Sequence, residues 1–170
     1  TPSYIVRRHT GAGSIVVCTT TATTCSDSGV GAGSYAYSVT ASLNSWAGPQ
    51  SDQSTTVTVD TSAPVIGSRP STPSANPSPS IAFSHGSYST FRCKLDSGSF
   101  TPCSSPQALT ALNGGLGLAN GSHTFQVRAL DAQGAPTQTA AYTWTVAATA
   151  PSITGAPAAT SASTAPSFAF

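Results

Sequence analysis

The chain has 170 residues, a formal net charge of +1 and only 6% charged side chains, against about a quarter in ordinary soluble domains. That balance supplies no basic field to hold nucleic acid or an anionic membrane surface, and no apolar run approaches the roughly 20 residues of a membrane span. There is no Glu or Met and Lys94 is the only lysine, yet 38% of residues are hydrophobic, so a folded chain with a Ser/Thr/Asn/Gln surface is expected rather than a disordered one.

In chain order, Tyr4–Arg8 (YIVRR) is predicted as a strand, His9–Ser14 as a Gly-rich turn and Ile15–Cys18 as a second strand, with a third at Thr24–Cys25. Asp27–Gly33 connects to the strand Ser34–Ala41, Leu43–Gln50 is expected to be a loop carrying Trp46, and Thr55–Asp60 closes the first module. Ser80–Phe83 and Thr90–Leu95 follow, then a turn at Asp96–Ser99, a return strand Phe100–Cys103, a Gly-rich loop within Leu109–Asn120 and the strands Gly121–Ala129 and Ala141–Val146. The alternation has period two, as a half-buried strand requires, and sustained helical periodicity is absent.

Two stretches repeat one plan. Gly33–Ala41 (GSYAYSVTA) matches Gly121–Ala129 (GSHTFQVRA) position for position at an offset of 121 − 33 = 88. Ala63, Pro64, Ile66, Pro70, Pro79, Ala82 and Phe83 recur as Ala150, Pro151, Ile153, Pro157, Pro166, Ala169 and Phe170, at 150 − 63 = 87 throughout. The same offset relates Tyr4 to Phe91 and Val59 to Val146. Random linker composition would not keep Pro and Ile in register over such a length, so the proline-rich stretch 63–83 opens a module, with Pro suited to an edge strand that donates no ladder bond. The expected organisation is residues 1–60 as a module without its first strands, 61–148 as a complete module, and 149–170 as the opening strands of a further one. Val39, Val59, Phe125, Val127, Trp144 and Val146 are the predicted core.

The runs FRCKLDSGSFTPCSSP, NGSHTFQVRALDAQGAP and AYTWTV closely resemble bacterial Ig-like repeats of large secreted proteins, and YIVRR, GSYAYSVTASLNSWAG and STTVTVD resemble a fibronectin type III domain. The resemblance covers nearly the whole chain and implies an all-β fold of tandem Ig-like and fibronectin type III-like β-sandwiches. It also implies that Tyr35 holds the tyrosine-corner position, where the second module carries His123 instead.

Four cysteines allow three connectivities; local pairing, Cys18 with Cys25 and Cys93 with Cys103, is the simplest. Disulfides imply an oxidising compartment, hence a secreted or cell-surface location, bacterial by the resemblance. No secretory leader opens the sequence, so an export signal is expected outside it. Neither cysteine pair has zinc-ligand spacing and the five aspartates are scattered, so no metal, cofactor or paired-carboxylate chemistry is expected. His123 lies near Asp131 in sequence, but no nucleophile elbow exists and the chain is not read as an enzyme. Trp46 is the candidate ligand contact, since loop aromatics stack on sugars or partner surfaces. The competing reading has it capping its own module.

The leading functional expectation is a structural extracellular repeat protein forming a stalk, fibre or surface filament, with neighbouring modules or head-to-tail subunits as its partners. The alternatives are an adhesive or carbohydrate-binding module meeting polysaccharide or a host surface, and a non-catalytic accessory domain of a secreted hydrolase. At offset 87 the strands surplus at 150–170 are those the first module lacks. Either a continuous array or head-to-tail strand complementation then places Ile153, Phe168 and Phe170 against a Tyr4-type module of an adjacent copy, the array being the commoner arrangement.

Overall fold

Period-two alternation produces strands almost wherever it occurs. The computed structural model describes residues 1–149, 153–157, 162–165, 167 and 169. The fold is all-β, built from antiparallel sheets, and the helical element among the described residues is one short 3-10 turn, Leu109–Leu112. The chain divides into two compact units: Thr1–Ala63 with Leu130–Gln138, and Pro64–Ala129 with Thr139–Phe170.

The first unit contains β1 (Ser3–Thr10), β2 (Gly13–Thr20), β3 (Gly33–Leu43), β4 (Trp46–Gln50) and β5 (Val57–Val59). They form one five-stranded sheet in the order β2-β1-β3-β4, with β5 also pairing β3. Two expectations are corrected here. Thr24–Cys25 is not a strand but part of the irregular connection after β2, where the Cys18–Cys25 bridge replaces ladder pairing. Leu43–Gln50 is not a loop: Leu43 and Trp46 close a two-residue turn, with Asn44 at φ 54°, and the chain returns along β3 as β4. Asn tolerates that left-handed conformation, and Pro49 is accommodated because β4 is an edge strand.

The second unit holds β6 (Val65–Ile66), β7 (Ser80–Ile81), β8 (Phe83–Ser84), β9 (Thr90–Leu95), β10 (Thr101–Cys103), β11 (Gln107–Ala108), β12 (Gly121–Leu130) and β13 (Ala140–Val146). Its four-stranded sheet runs β10-β9-β12-β13, and β6-β8 and β7-β11 make two small antiparallel pairs. The core draws on both: Ile81 and Phe83 from the small pairs meet Phe91, Cys93, Leu95, Phe125, Val127, Ala129, Trp144 and Val146. Phe83 sits edge-on to Phe91 at 5.0 Å and 5.8 Å from Phe125. Tyr142 keeps its hydroxyl satisfied by donating to the Pro70 carbonyl at 2.7 Å, so the proline-rich stretch is tied to β13.

The strand order β10-β9-β12-β13 repeats β2-β1-β3-β5 of the first unit, strand for strand. Burial does not repeat. Phe125, Val127, Trp144 and Val146 are buried as predicted, but Val39 is 39% exposed and Val59 is only half-buried. The physical reason is that the first unit presents a single sheet, with no counterpart of β6, β7 and β8 laid across it among the described residues.

Candidate functional site

Residues directly opposite in an antiparallel pair share a sheet face. In the first unit, Val6 lies opposite both Val39 and Cys18, Tyr4 opposite Ala41, Arg8 opposite Tyr37, Tyr35 opposite Val57, and Leu43 opposite Trp46. One face is therefore aromatic and aliphatic. The other is polar: Ser3 bonds Ser42 (2.7 Å), and Ser38 bonds both His9 Nε2 (2.7 Å) and Gln50 Nε2 (2.8 Å). Such two-sidedness is what an antiparallel sheet shows when one face is meant for a core.

On the apolar face, Tyr4, Val6 and Val39, with Thr20, Ala22 and Cys25 at the rim, enclose an open groove of about 320 Å³. The Cys18–Cys25 bridge holds that rim in place. At its other end the face is closed by an ionic cluster. Arg8 donates to both oxygens of Asp27 (3.0 and 3.2 Å), the Tyr37 hydroxyl donates to Asp27 at 3.0 Å, and the Arg8 guanidinium stacks over Tyr35. Burial, then the bond to the Asp27 carboxylate and its charge, push the Tyr37 hydroxyl above its ordinary pKa. Nothing local pointed to Asp27, which lies 19 residues from Arg8.

After β13 the described residues include a further antiparallel contact. Gly155 and Ala169 form an antiparallel bridge; Thr154 N–H donates to Ala169 O (2.9 Å) and Ala169 N–H to Gly155 O (2.9 Å). In the second unit's opening strands, Gly67 N–H donates to Ala82 O (2.8 Å) and Ala82 N–H to Ser68 O (2.8 Å). Each of these residues maps onto its partner by the same offset (154 − 67, 155 − 68 and 169 − 82 all equal 87). The sequence repeat is thus also a repeat of hydrogen-bond register. Ile153, the counterpart of the core-packed Ile66, is 66% exposed. Phe168 and Phe170 lie outside the described residues.

Trp46 opens β4 rather than riding on a loop, and is 65% exposed beside Leu43. Its ring lies over Gly48, where a Cβ would come within 3.2 Å. The cysteines pair as Cys18–Cys25 and Cys93–Cys103. The second bridge is diagonal, because the β9–β10 register sets Cys93 opposite Thr101 and Cys103 opposite Phe91.

The carboxylate partner of His123 is Asp96, not Asp131. His123 Nδ1 meets Asp96 Oδ2 at 2.8 Å and Nε2 meets the Ala119 carbonyl at 2.9 Å. Asp131 instead accepts from the backbone of Gln133 and Ala135 in its own turn. Tyr35 donates to the Gly31 carbonyl at 3.0 Å, four residues back, and His123 Nε2 reaches the carbonyl four residues back as well. The imidazole therefore takes over the corner bond of the phenol. A glycine opens each corner strand at positive φ, Gly33 at 156° and Gly121 at 139°, and a Cβ at Gly33 would sit 2.8 Å from the Tyr35 hydroxyl.

Both neighbours of the His123 ring are acceptors, so satisfying both requires a proton on each nitrogen. Partial burial opposes that charge, but the Ala119 and Asp96 bonds and the Asp96 charge outweigh it, leaving the His123 pKa above 6.5. Both ring nitrogens are thus occupied in holding structure. Among the described residues, no group of three or more His, Cys or carboxylate side chains is placed to hold a metal ion, and no helix is long and apolar enough to cross a membrane. No family model matches the sequence, and no curated protein matches it.

Proposed function

We propose that the chain is a structural part of a bacterial extracellular repeat protein, a stalk, fibre or surface filament, built from tandem Ig-like and fibronectin type III-like β-sandwich modules and without catalytic activity of its own. The observation that carries this reading is the conserved plan at offset 87–88: the strand order of the four-stranded sheet and the backbone bonds of the opening hairpin both recur within one chain. Repetition of one packing unit is how quasi-linear proteins extend, each unit meeting its neighbours. Two short-range disulfides fit an oxidising, extracytoplasmic setting. The His123–Asp96 contact is taken up by the corner bond, with both ring nitrogens engaged in holding structure.

A load-bearing role predicts a distinct mechanical signature. Pulled by its termini, the full chain should unfold the second unit in one cooperative step. The loop between Cys93 and Cys103 should be withheld from the extension until reductant is added. Extension without a resolvable force peak would refute the role. A second reading, an adhesive or carbohydrate-binding module, is favoured by the exposure of Trp46 and Leu43 side by side. A glycan array separates the two readings: selective binding lost in Trp46→Ala would establish the adhesive one.

A further inference from the structure

We propose that the outward face of the second unit's four-stranded sheet binds a carboxylated polysaccharide, a chain of uronic acid sugars, through Arg92, Lys94 and Arg128. The inference goes beyond the structural role, concerns a different surface from Trp46 and depends on neither reading. It begins with charge. The net charge of +1 conceals a split: the first unit carries two Arg against four Asp, and the second carries three Arg and Lys94 against Asp96 alone. Strand alternation gathers three of those four cations on one face. Along β9, Phe91, Cys93 and Leu95 enter the core while Arg92 and Lys94 take the opposite side. Along the neighbouring β12, Phe125, Val127 and Ala129 are buried and Arg128 is turned outward. Phe100 joins the two strands' cations, with the Arg128 guanidinium 4.2 Å and the Lys94 ammonium 5.4 Å from its ring centroid.

No carboxylate answers these charges among the described residues. Asp96, the unit's own acid, is taken by His123 Nδ1 and the Thr124 N–H. Arg128 Nε is buried without a hydrogen-bond partner, so the guanidinium is held by its stack on Phe100 and its outer N–H groups are left for an acceptor. The fold does not require the cluster. At offsets of 87 and 88 the first unit builds the same sheet with Ile5, Arg7 and Thr40 in these places. Three like charges on one sheet face repel one another, and an anion relieves that repulsion. Their layout fits a polymer, because Arg92 lies one pleat, about 7 Å, beyond Lys94 instead of converging on a single point. The chemistry fits a carboxylate borne on sugar. A planar guanidinium reads a carboxylate with two parallel bonds, and hydroxyls flank the cations. Thr143 and Thr145 are exposed on β13, and Ser99 and Thr101 line a recess of about 200 Å³ beside Lys94. Single-stranded nucleic acid fits less well, since its bases stack on bare rings and Phe100 already carries Arg128 and Lys94.

Titration calorimetry of the full chain with polygalacturonate tests this. The wild type should bind with an affinity that falls as salt rises, and should not bind the fully methyl-esterified polymer, which keeps the hydroxyls and loses the charge. Arg92→Gln should weaken binding about fivefold, and adding Arg128→Gln should weaken it roughly tenfold further. Arg7→Gln removes the same charge from the first unit and should leave binding unchanged. Retained circular dichroism and Trp144 emission establish folding, and Arg92 has no ion pair to lose. A wild type that ignores polygalacturonate overturns the proposal, as does an Arg92→Gln chain that binds like the wild type. An equal loss in Arg7→Gln would show that only total charge matters, and equal binding of polyphosphate or single-stranded DNA would show a general polyanion surface; each defeats the assignment. So does salt-sensitive self-association of the wild type in sedimentation velocity that Arg92→Gln abolishes, since the face would then meet the acidic first unit of another copy.

Discussion

Phe125→Ala probes the centre of the second unit. The ring has no exposed surface and sits 5.8 Å from Phe83, which bridges it to Phe91. Truncation loses the transfer free energy of the ring and leaves a cavity that the surrounding core closes only in part, about 3–5 kcal/mol in all. Small domains have about 5–15 kcal/mol of stability, so the variant should remain folded but lose much of its margin. Urea unfolding followed by Trp144 emission reports this unit selectively, because Trp144 is buried within it and Trp46 lies exposed in the first unit. At a slope of about 1.5 kcal/mol/M, the midpoint should fall by roughly 2–3 M. A fall below about 0.7 M, or about 1 kcal/mol, is the scale of surface substitutions and would mean that Phe125 faces away from the core.

Val127→Ala and Val39→Ala occupy equivalent positions but differ in burial; the first should cost about 2 kcal/mol and the second under about 1 kcal/mol, and equal costs in the isolated chain would contradict the open face of the first unit. Replacing Cys93 and Cys103 with Ser opens a loop of sequence separation 10 and should lower stability by about 2–3 kcal/mol; thermal unfolding with the midpoint unchanged would refute it. His123 should titrate above 6.5 by NMR, its stabilising effect present below about 6.5 and lost as pH rises through the folded-state value. Asp96→Asn keeps an acceptor for Thr124 N–H but removes the charge, so it should bring the titration down, and an unchanged midpoint would show that Asp96 has no part in the shift.

What could be read from the sequence was local or periodic. Alternation located β1, β3, β9, β12 and β13, and short-range spacing paired the cysteines. The misreadings had a common cause in side chains whose meaning is set by a distant partner. Leu43–Gln50 contains Asn, Gly and Pro, a loop composition, yet pairing with β3 makes it an edge strand in which each of those residues is tolerated. Asp27 looked like one more turn residue until β1 and β3 brought Arg8 and Tyr37 to it. His123 looked like a departure from the tyrosine corner because the pattern was read by residue type. The bond depends on a ring donor reaching the carbonyl four residues back, and an imidazole N–H satisfies that as a phenol does.

Burial was the property least accessible from sequence, and the two units show why. Tyr37, Val39 and Ala41 alternate just as Phe125, Val127 and Ala129 do, so periodicity assigns both sets to an inward face. Periodicity states which side chains share a face; whether that face is covered depends on a second layer contributed by residues far away in sequence. In the second unit that layer is β6, β7 and β8, and its presence takes Val127 to complete burial. In the first unit no such layer is described, and Val39 stays in water although its own strand is equally well formed. An apolar face this extensive loses free energy for as long as it is hydrated, at about 25 cal/mol per Å², and an unpaired sheet invites aggregation unless its partner is specific.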